Sequence, residues 1–272
     1  MRGRMDNPWK EAKKMVRIIL NGCYGKMGQV ISSIAKDDEG VCIAAGIDIR
    51  EDAPMQAAYP VFKSIASISP DLCADVMLDF SHPTVMLAER LSYASDKGVP
   101  IVIATTGFTD EGKAMIAECS GKVGVFTSAN MSIGVNLLGD LAAKAARAIG
   151  DVFDVEIVES HHGQKLDAPS GTAYMIADKV SKALSYEPEY IYDRHGRSER
   201  RGPKEIGMHA IRGGTTVGEH TVIFAGLDEV IEIRHTALSR SLFAVGAMKA
   251  AKFMKGKGPG MYDMGSLLAE SD

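Results

Sequence analysis

From Glu159 to Thr172 the chain reads Glu-Ser-His-His-Gly-Gln-Lys-Leu-Asp-Ala-Pro-Ser-Gly-Thr. Several chemistries share that short span. His161 and His162 titrate near neutrality and suit proton transfer. Lys165 adds a positive charge. Ser170 is of the helix N-cap type, and the amides of Gly171 and Thr172 after it would lack partners inside the helix. A helix start of that kind attracts a carboxylate. Other readings of the same residues are weaker. Adjacent histidines in extended chain point to opposite faces, so they make a poor metal pair and no metal is expected. Ser170 lacks the G-x-S-x-G frame of a hydrolase nucleophile, and it also reads as a plain cap.

A second chemistry-bearing run is Gly22-Cys23-Tyr24-Gly25-Lys26-Met27-Gly28. It reads G-x-x-G-x-x-G, so Tyr24 stands where a second glycine usually lets a pyrophosphate approach. Amides at the following helix start would still form an anion site. Asp48 lies 20 residues past Gly28, where an acid binds adenine-ribose hydroxyls. The set predicts dinucleotide binding; a glycine-rich turn with no ligand is the alternative. A carboxylate there favours NADH, and Arg50 leaves a route to NADPH. Three more loops fall at strand ends, the edge where ligands bind in open parallel sheets. They are Phe80-Ser81-His82-Pro83, Ala104-Thr105-Thr106-Gly107 and Ser128-Ala129-Asn130-Met131. Each also reads as ordinary turn chemistry. Hydride from such a cofactor, with the histidine–lysine segment, suits a small carboxylated substrate that has a reducible double bond.

These residues need a scaffold. Val16–Leu20, Val41–Ile47, Val76–Phe80, Pro100–Ala104 and Val123–Phe126 are short apolar runs, as in strands buried on both faces. Helical segments alternate with them: Gly25–Lys36 with Met27, Val30, Ile31 and Ile34 on one face, one from Pro83 to about Lys97, and one near 110–119. Alternation of this kind predicts an α/β fold, a Rossmann-type doubly wound parallel sheet. After Asn130 the pattern changes. A helix over 132–149 precedes strands of alternating polarity, Asp154–Glu159 and Glu229–Arg234, with further strands near 190–194, 206–212 and 220–225. Alternation marks a sheet with one wet face, hence a second, α+β domain with a mixed sheet. A helix over Ala173–Leu184 carries Tyr174, Ile176, Ala177, Val180 and Leu184. The last helix, 240–255, has Leu242, Val245, Met248 and Phe253 along one face. The division expected is 1–130, with 240–272 returning to it, and 131–239.

Bulk composition agrees. A chain of 272 residues allows roughly 1.8 domains. Its 46% hydrophobic and 24% charged content is that of a globular protein. The net charge of −4 disfavours a nucleic-acid binder. No apolar run is long enough to span a bilayer, so no membrane partner is expected. The polar stretch from Met1 to Met15 lacks a secretory h-region. It reads as a short helical extension, or as an over-long start with Met5 or Met15 as the true one. Cys23, Cys42, Cys73 and Cys119 form no CxxC pair and read as thiols in a reducing cytoplasm.

The chain resembles the 4-hydroxy-tetrahydrodipicolinate reductases (dihydrodipicolinate reductases). The likeness runs from about Val16 to Leu268. It rests on the glycine run, Asp79-Phe80-Ser81, Ala104–Phe108, Ala129–Asn136, His161–Ala173, Arg194-His195-Gly196, Val217–His220 and Tyr262-Asp263-Met264. The resemblance implies reduction of a cyclic dicarboxylate by NADH or NADPH, with loss of water, in diaminopimelate and lysine biosynthesis. It implies His161 as proton donor and Lys165 as a second protonating or charge-stabilising residue. It also implies that His162, Lys165, Ser170, Gly171, Thr172 and Thr106 hold the substrate. Gly22 to Met27, Asp48, Phe80, Ala104, Thr105, Thr106, Ser128, Ala129, Asn130 and Met131 would hold the cofactor. A homotetramer built through the second domain's sheet is implied too. Gly163 and Gln164 depart from the family's His-His-Arg-His-Lys run. Two rival readings remain: another amino-acid or oxo-acid dehydrogenase on the same scaffold, and a non-enzymatic nucleotide sensor.

Overall fold

A computed structural model describes residues 15–50, 57–196 and 198–270. The expectation for the N-terminal stretch therefore lies outside the described residues, apart from Met15. The chain divides into two compact units. One runs to Met131 and resumes at Phe243; the other spans Ser132–Leu242.

The first unit is built on seven strands: β1 (Val16–Asn21), β2 (Val41–Ile47), β3 (Val61–Phe62), β4 (Val76–Asp79), β5 (Ile101–Ile103), β6 (Gly124–Thr127) and β12 (Gly260–Tyr262). Their order is β12-β6-β5-β4-β1-β2-β3, and every pair is parallel. Order reverses between β1 and β4, which makes the crevice at their carboxyl ends a topological switch point. Ile18, Ile19, Leu20, Val76, Met77 and Leu78 are all fully buried. Burial on both faces is why these runs show no polar alternation. The short β3 and β12 are edge strands that sequence pattern did not reveal.

Helices α1 (Lys26–Asp37), α2 (Leu87–Lys97) and α3 (Asp110–Ser120) connect the strands. In α1 the buried residues are Gly28, Ile31 and Ser32, whereas Met27, Val30 and Ile34 are only half-buried. The helix is pressed onto the glycine loop: a Cβ on Gly28 would overlap the Gly22 carbonyl. Of the expected apolar face only Ile31 is buried, and the small residues Gly28 and Ser32 share the inward face with it. Helix α2 starts at Leu87, several residues after Pro83, because Met86 takes a left-handed conformation at its N-cap.

In the second unit α4 (Ile133–Ile149) and α5 (Gly171–Ser181) cover a mixed sheet. Its strands are β7 (Asp154–His161), β8 (Glu189–Ile191), β9 (Glu205–Arg212), β10 (Gly218–Ala225) and β11 (Val230–Ala237), in the order β11-β10-β7-β9-β8. Strands β7 and β10 alternate buried and half-exposed along nearly their whole length. Their inward residues Val155, Ile157, Val222 and Phe224 form a core with Ile176, Ala177 and Val180 of α5 and Leu138 and Ala142 of α4. Strand β11 departs from the expected one-face wetting. It is an edge strand, and Val230 and Ile231 are both exposed. Helix α5 ends at Ser181, not Leu184, and the chain then turns at Lys182.

Helix α6 (Ser241–Met254) and the short α7 (Met264–Ala269) close the chain. The inward face of α6 is Ala244, Gly246, Ala247, Met248, Ala250, Ala251 and Met254, while Val245 is exposed. The expected face of Leu242, Val245, Met248 and Phe253 is thus rotated. Small residues win because the backbone comes so near that a Cβ on Gly246 would overlap the Met131 carbonyl.

Candidate active site

The first unit holds a cleft of about 240 Å³ at the carboxyl ends of β1, β2 and β4. Gly22, Gly25, Asp48, Arg50, Phe80, Ser81 and Arg90 line it. Gly22 sits at φ 79°, and a Cβ there would come 2.6 Å from the Phe80 carbonyl oxygen. Only glycine allows that crossing of the two strand ends. Gly25, the N-cap of α1, borders the cleft without a side chain. Tyr24 lines a separate, smaller groove with Gln29, Ser32 and Tyr59. The tyrosine in place of a second glycine therefore does not crowd the cleft. Cys23 also turns inward, and burial with the nearby Asp48 charge pushes its thiol up to about 11.

Asp48 is buried and fully engaged. Its Oδ2 accepts from the Tyr24 amide at 2.8 Å, and its Oδ1 accepts from Arg50 Nε at 3.0 Å. Burial raises its pKa, but Arg50 and the two backbone amides outweigh that and leave it lowered. Lys26 is exposed and Met27 half-exposed at the start of α1. Ala104, Thr105 and Thr106 form the loop after β5, where Thr105 Oγ1 donates to the Ser81 carbonyl at 3.3 Å and Thr106 is exposed. Ser128 to Met131 follow β6; Ser128 Oγ donates to the Asn130 carbonyl at 2.7 Å. None of these last two loops borders the cleft that holds Gly22 and Asp48.

Beneath the cleft lies a cluster that sequence reading missed. Asp79 Oδ1 accepts from Asn21 Nδ2 at 2.9 Å, Ser81 Oγ at 2.7 Å and Arg90 Nη1 at 3.2 Å. Arg90 also donates to Ser81 Oγ. Both ions of the pair are buried. Burial lowers the Arg90 pKa, and Asp79 opposes it only in part.

The second unit places its candidate residues at one end of its sheet. Along β7 the inward row runs Val155, Ile157, Glu159, His161, so the core face changes from hydrocarbon to charge within one strand. On β10 the matching row is Phe224, Val222, His220, and His220 pairs in register with Glu159. On β9 Arg212 pairs in register with His161. The result is a connected network. His161 Nδ1 lies 2.6 Å from Glu159 Oε2. Arg212 donates to both Glu159 oxygens, at 2.8 and 2.7 Å, and the Ser170 amide donates to Oε1 at 3.0 Å. Burial pushes Glu159 up, but Arg212 and His161 more than reverse it.

Ser170 is the N-cap of α5 as expected, its Oγ accepting from the Ala173 amide at 3.2 Å. The same Oγ is 3.1 Å from His220 Nε2. His220 packs edge-on against His161 with ring centroids 5.3 Å apart. Burial and the His161 charge push its pKa down to about 4. Space opens beside Gly171, where a Cβ would meet nothing, and Thr172 is half-buried next to it. Lys165, read as adding a positive charge, is ion-paired: its Nζ is 2.8 Å from Asp167 Oδ1, which lowers the Asp167 pKa. His162 leaves the strand and is half-buried, its amide donating to the Thr216 carbonyl at 2.8 Å. Glu159, Arg212 and His220 were assigned no role by sequence reading. Period-two alternation carried a signal for one of them, since it sets Glu159 on the core face with Val155 and Ile157. Among the described residues no group of three or more His, Cys, Asp or Glu is arranged to hold a metal ion, and no helix is long and apolar enough to cross a membrane.

Two family models match the chain. The one described as "Dihydrodipicolinate reductase, N-terminus" covers residues 16–131, and "Dihydrodipicolinate reductase, C-terminus" covers 134–268. A 4-hydroxy-tetrahydrodipicolinate reductase of Clostridium tetani is 47% identical over 95% of this chain and 99% of its own length. One from Caldanaerobacter subterraneus subsp. tengcongensis is 45% identical over 93% of this chain and 98% of its own. A solved dipicolinate-bound dihydrodipicolinate reductase from Paenisporosarcina sp. TG-14 superposes with a TM-score of 0.77 at 27% identity, over 92% of this chain and 97% of that one.

Proposed function

The chain belongs to the dihydrodipicolinate reductase family, and from that premise we propose that it reduces 4-hydroxy-tetrahydrodipicolinate to tetrahydrodipicolinate, with loss of water, at the step shared by diaminopimelate and lysine biosynthesis. It is an oxidoreductase that uses a nicotinamide cofactor. The observation that carries the residue-level reading is the Glu159–His161–Ser170 network, which joins a proton-donating ring to an anion-binding helix start.

The first-unit cleft suits the cofactor. Gly22 and Gly25 form a cradle that side chains would fill, and the α1 start offers the amides of Lys26 and Met27 to a pyrophosphate. Asp48 stays ionised, and with the Arg50 side chain displaced its carboxylate would accept from ribose hydroxyls, which favours NADH. Arg50, folded onto Asp48, supplies the cation that a 2′-phosphate would need. When bound, the cofactor supplies hydride. Phe80 and the loops Ala104 to Thr106 and Ser128 to Met131 complete its side of the reading.

In the second unit the substrate's carboxylates would be held by the amides of Gly171 and Thr172, by Ser170 Oγ and by His162. Thr106 is read separately as a substrate-binding residue. Lys165 would exchange Asp167 for a substrate carboxylate or the developing negative charge. His161 donates a proton from Nε2, because Nδ1 is committed to Glu159. We also read the chain as a cytoplasmic homotetramer whose second unit carries the subunit contacts. Light scattering would return four chain masses if so, and one chain mass would refute it.

The decisive experiment supplies the dihydrodipicolinate synthase product and follows NADH absorbance, then repeats the assay with NADPH. Oxidation that depends on the cyclic substrate supports the reading. Turnover only of open-chain acids, or nucleotide binding without turnover, overturns it.

A further inference from the structure

The roles above leave one buried ion unexplained. Glu159 is 1% exposed, yet it sits in the row that begins with Val155 and Ile157. An isolated carboxylate there would be strongly disfavoured. It is instead saturated. Oε1 accepts from the Ser170 amide at 3.0 Å and Arg212 Nη2 at 2.7 Å; Oε2 accepts from Arg212 Nη1 at 2.8 Å and pairs with His161 Nδ1 at 2.6 Å. The Arg212 fork neutralises the carboxylate and fixes its plane. A carboxylate only accepts, so the proton between the two must reside on Nδ1. That leaves Nε2 as the working nitrogen of His161. It faces Gly218, where a Cβ would come 3.0 Å from it, so glycine there spares that nitrogen a close side-chain contact.

We propose that Glu159, clamped by Arg212, is the positioning residue of this site, holding His161 in the Nδ1–H tautomer with the same carboxylate that fixes the Ser170 amide at the start of α5. The inference rests on the reading of His161 as proton donor and deepens it. One group thereby sets both the direction of proton donation and the place where the substrate carboxylate is held. The ionisable groups around the imidazole are Glu159 on its own strand, Arg212 on β9, His220 on β10 and His235 beyond it on β11. Lys165 in the following loop is the fifth. Of these, Glu159 alone contacts the ring through a hydrogen bond, and His220 through an edge-on ring contact.

The test is Glu159→Gln, alone and with His161→Gln. Glu159→Gln is expected to lower kcat by about 10²-fold, near the lower end for losing an oriented acid, with a smaller change in KM. The alkaline limb of the kcat profile should move to lower pH, because removing the negative charge disfavours the imidazolium. In the His161→Gln background the same change should cost less than about twofold, since the two residues act as one unit. A purely structural role would multiply the losses and leave the pH limb in place. Nitrogen-15 NMR of the unaltered protein reads the tautomer even if the variants fail to fold: a protonated Nδ1 supports the proposal, and a protonated Nε2 with bare Nδ1 in the neutral ring overturns it. If His161→Gln kept near-full activity, the proton-donor reading itself would fail. If His161→Gln lost activity while Glu159→Gln did not, only the present proposal would fall.

Discussion

Each unit carries a buried acid paired with an arginine at the working end of its sheet, and the two pairs are built differently. In the first unit Asp79 gathers Asn21, Ser81 and Arg90 on a single oxygen, and no described residue donates to its Oδ2. In the second unit Glu159 spreads four contacts over both oxygens and is met by a bidentate arginine. The Asp79 pair ties β1 and β4 to the loop beneath the cleft. The Glu159 pair continues outward through His161. Burial depresses the Arg90 pKa, whereas the Glu159 hydrogen bond raises that of Arg212. The lesson is that similar ions serve different ends according to what their remaining valences touch. Asp79 and Arg90 knit backbone ends together; Glu159 and Arg212 aim an imidazole.

Arg90→Met is the harshest way to break that contrast. It strands Asp79 as a buried charge and should cost about 3–5 kcal/mol of stability, read by denaturant unfolding. Arg212→Met should cost less, because Glu159 keeps the Ser170 amide and His161 can take up a proton as counter-ion. Its signature is in the kcat profile, where the alkaline limb should move to higher pH, opposite to Glu159→Gln. Equal stability losses for the two arginines, or no movement of the limb, would erase the difference between the pairs. His220 sharpens the picture through acid sensitivity. Its folded pKa of about 4 lies below the usual 6.5, so the folded state disfavours protonation. Stability from this group is fully present above about pH 6.5 and declines as pH falls toward 4. A His220→Asn protein should show a flatter stability profile across that window, and an unchanged slope would contradict it. The smallest effect is expected for Ser170→Ala. Loss of the N-cap should cost about 1 kcal/mol by thermal unfolding, with KM for the cyclic substrate rising more than kcat falls.

Local features were legible in the sequence to the extent that their meaning is local. The glycine run, its flanking strand and helix, and Asp48 lie close together in the chain. So do His161, Lys165 and Ser170. The alternating strands after Asn130 also announced a sheet unlike the first. Helix faces were less legible. The inward faces of α1 and α6 set Ile31, Met248 and Met254 among Gly28, Ser32, Gly246 and alanines, because the close backbone approach at Gly28 and Gly246 leaves no room for larger side chains there. Edge strands β3 and β12 are too short to carry a pattern.

Long-range partners were out of reach for a different reason. Arg212 meets Glu159 across 53 positions and His220 meets Ser170 across 50. Nothing near Glu159 in the chain names those partners. Sequence periodicity determined that Glu159 and His161 share the face of Val155 and Ile157, since side chains alternate along a strand. Which residues stand opposite was decided by register: β10 antiparallel with His220 across from Glu159, β9 parallel with Arg212 across from His161. A slip of one residue would send each partner to the other face of the sheet. The residue types of the site were therefore written locally, while their charge balance and aim exist only once the strands have paired.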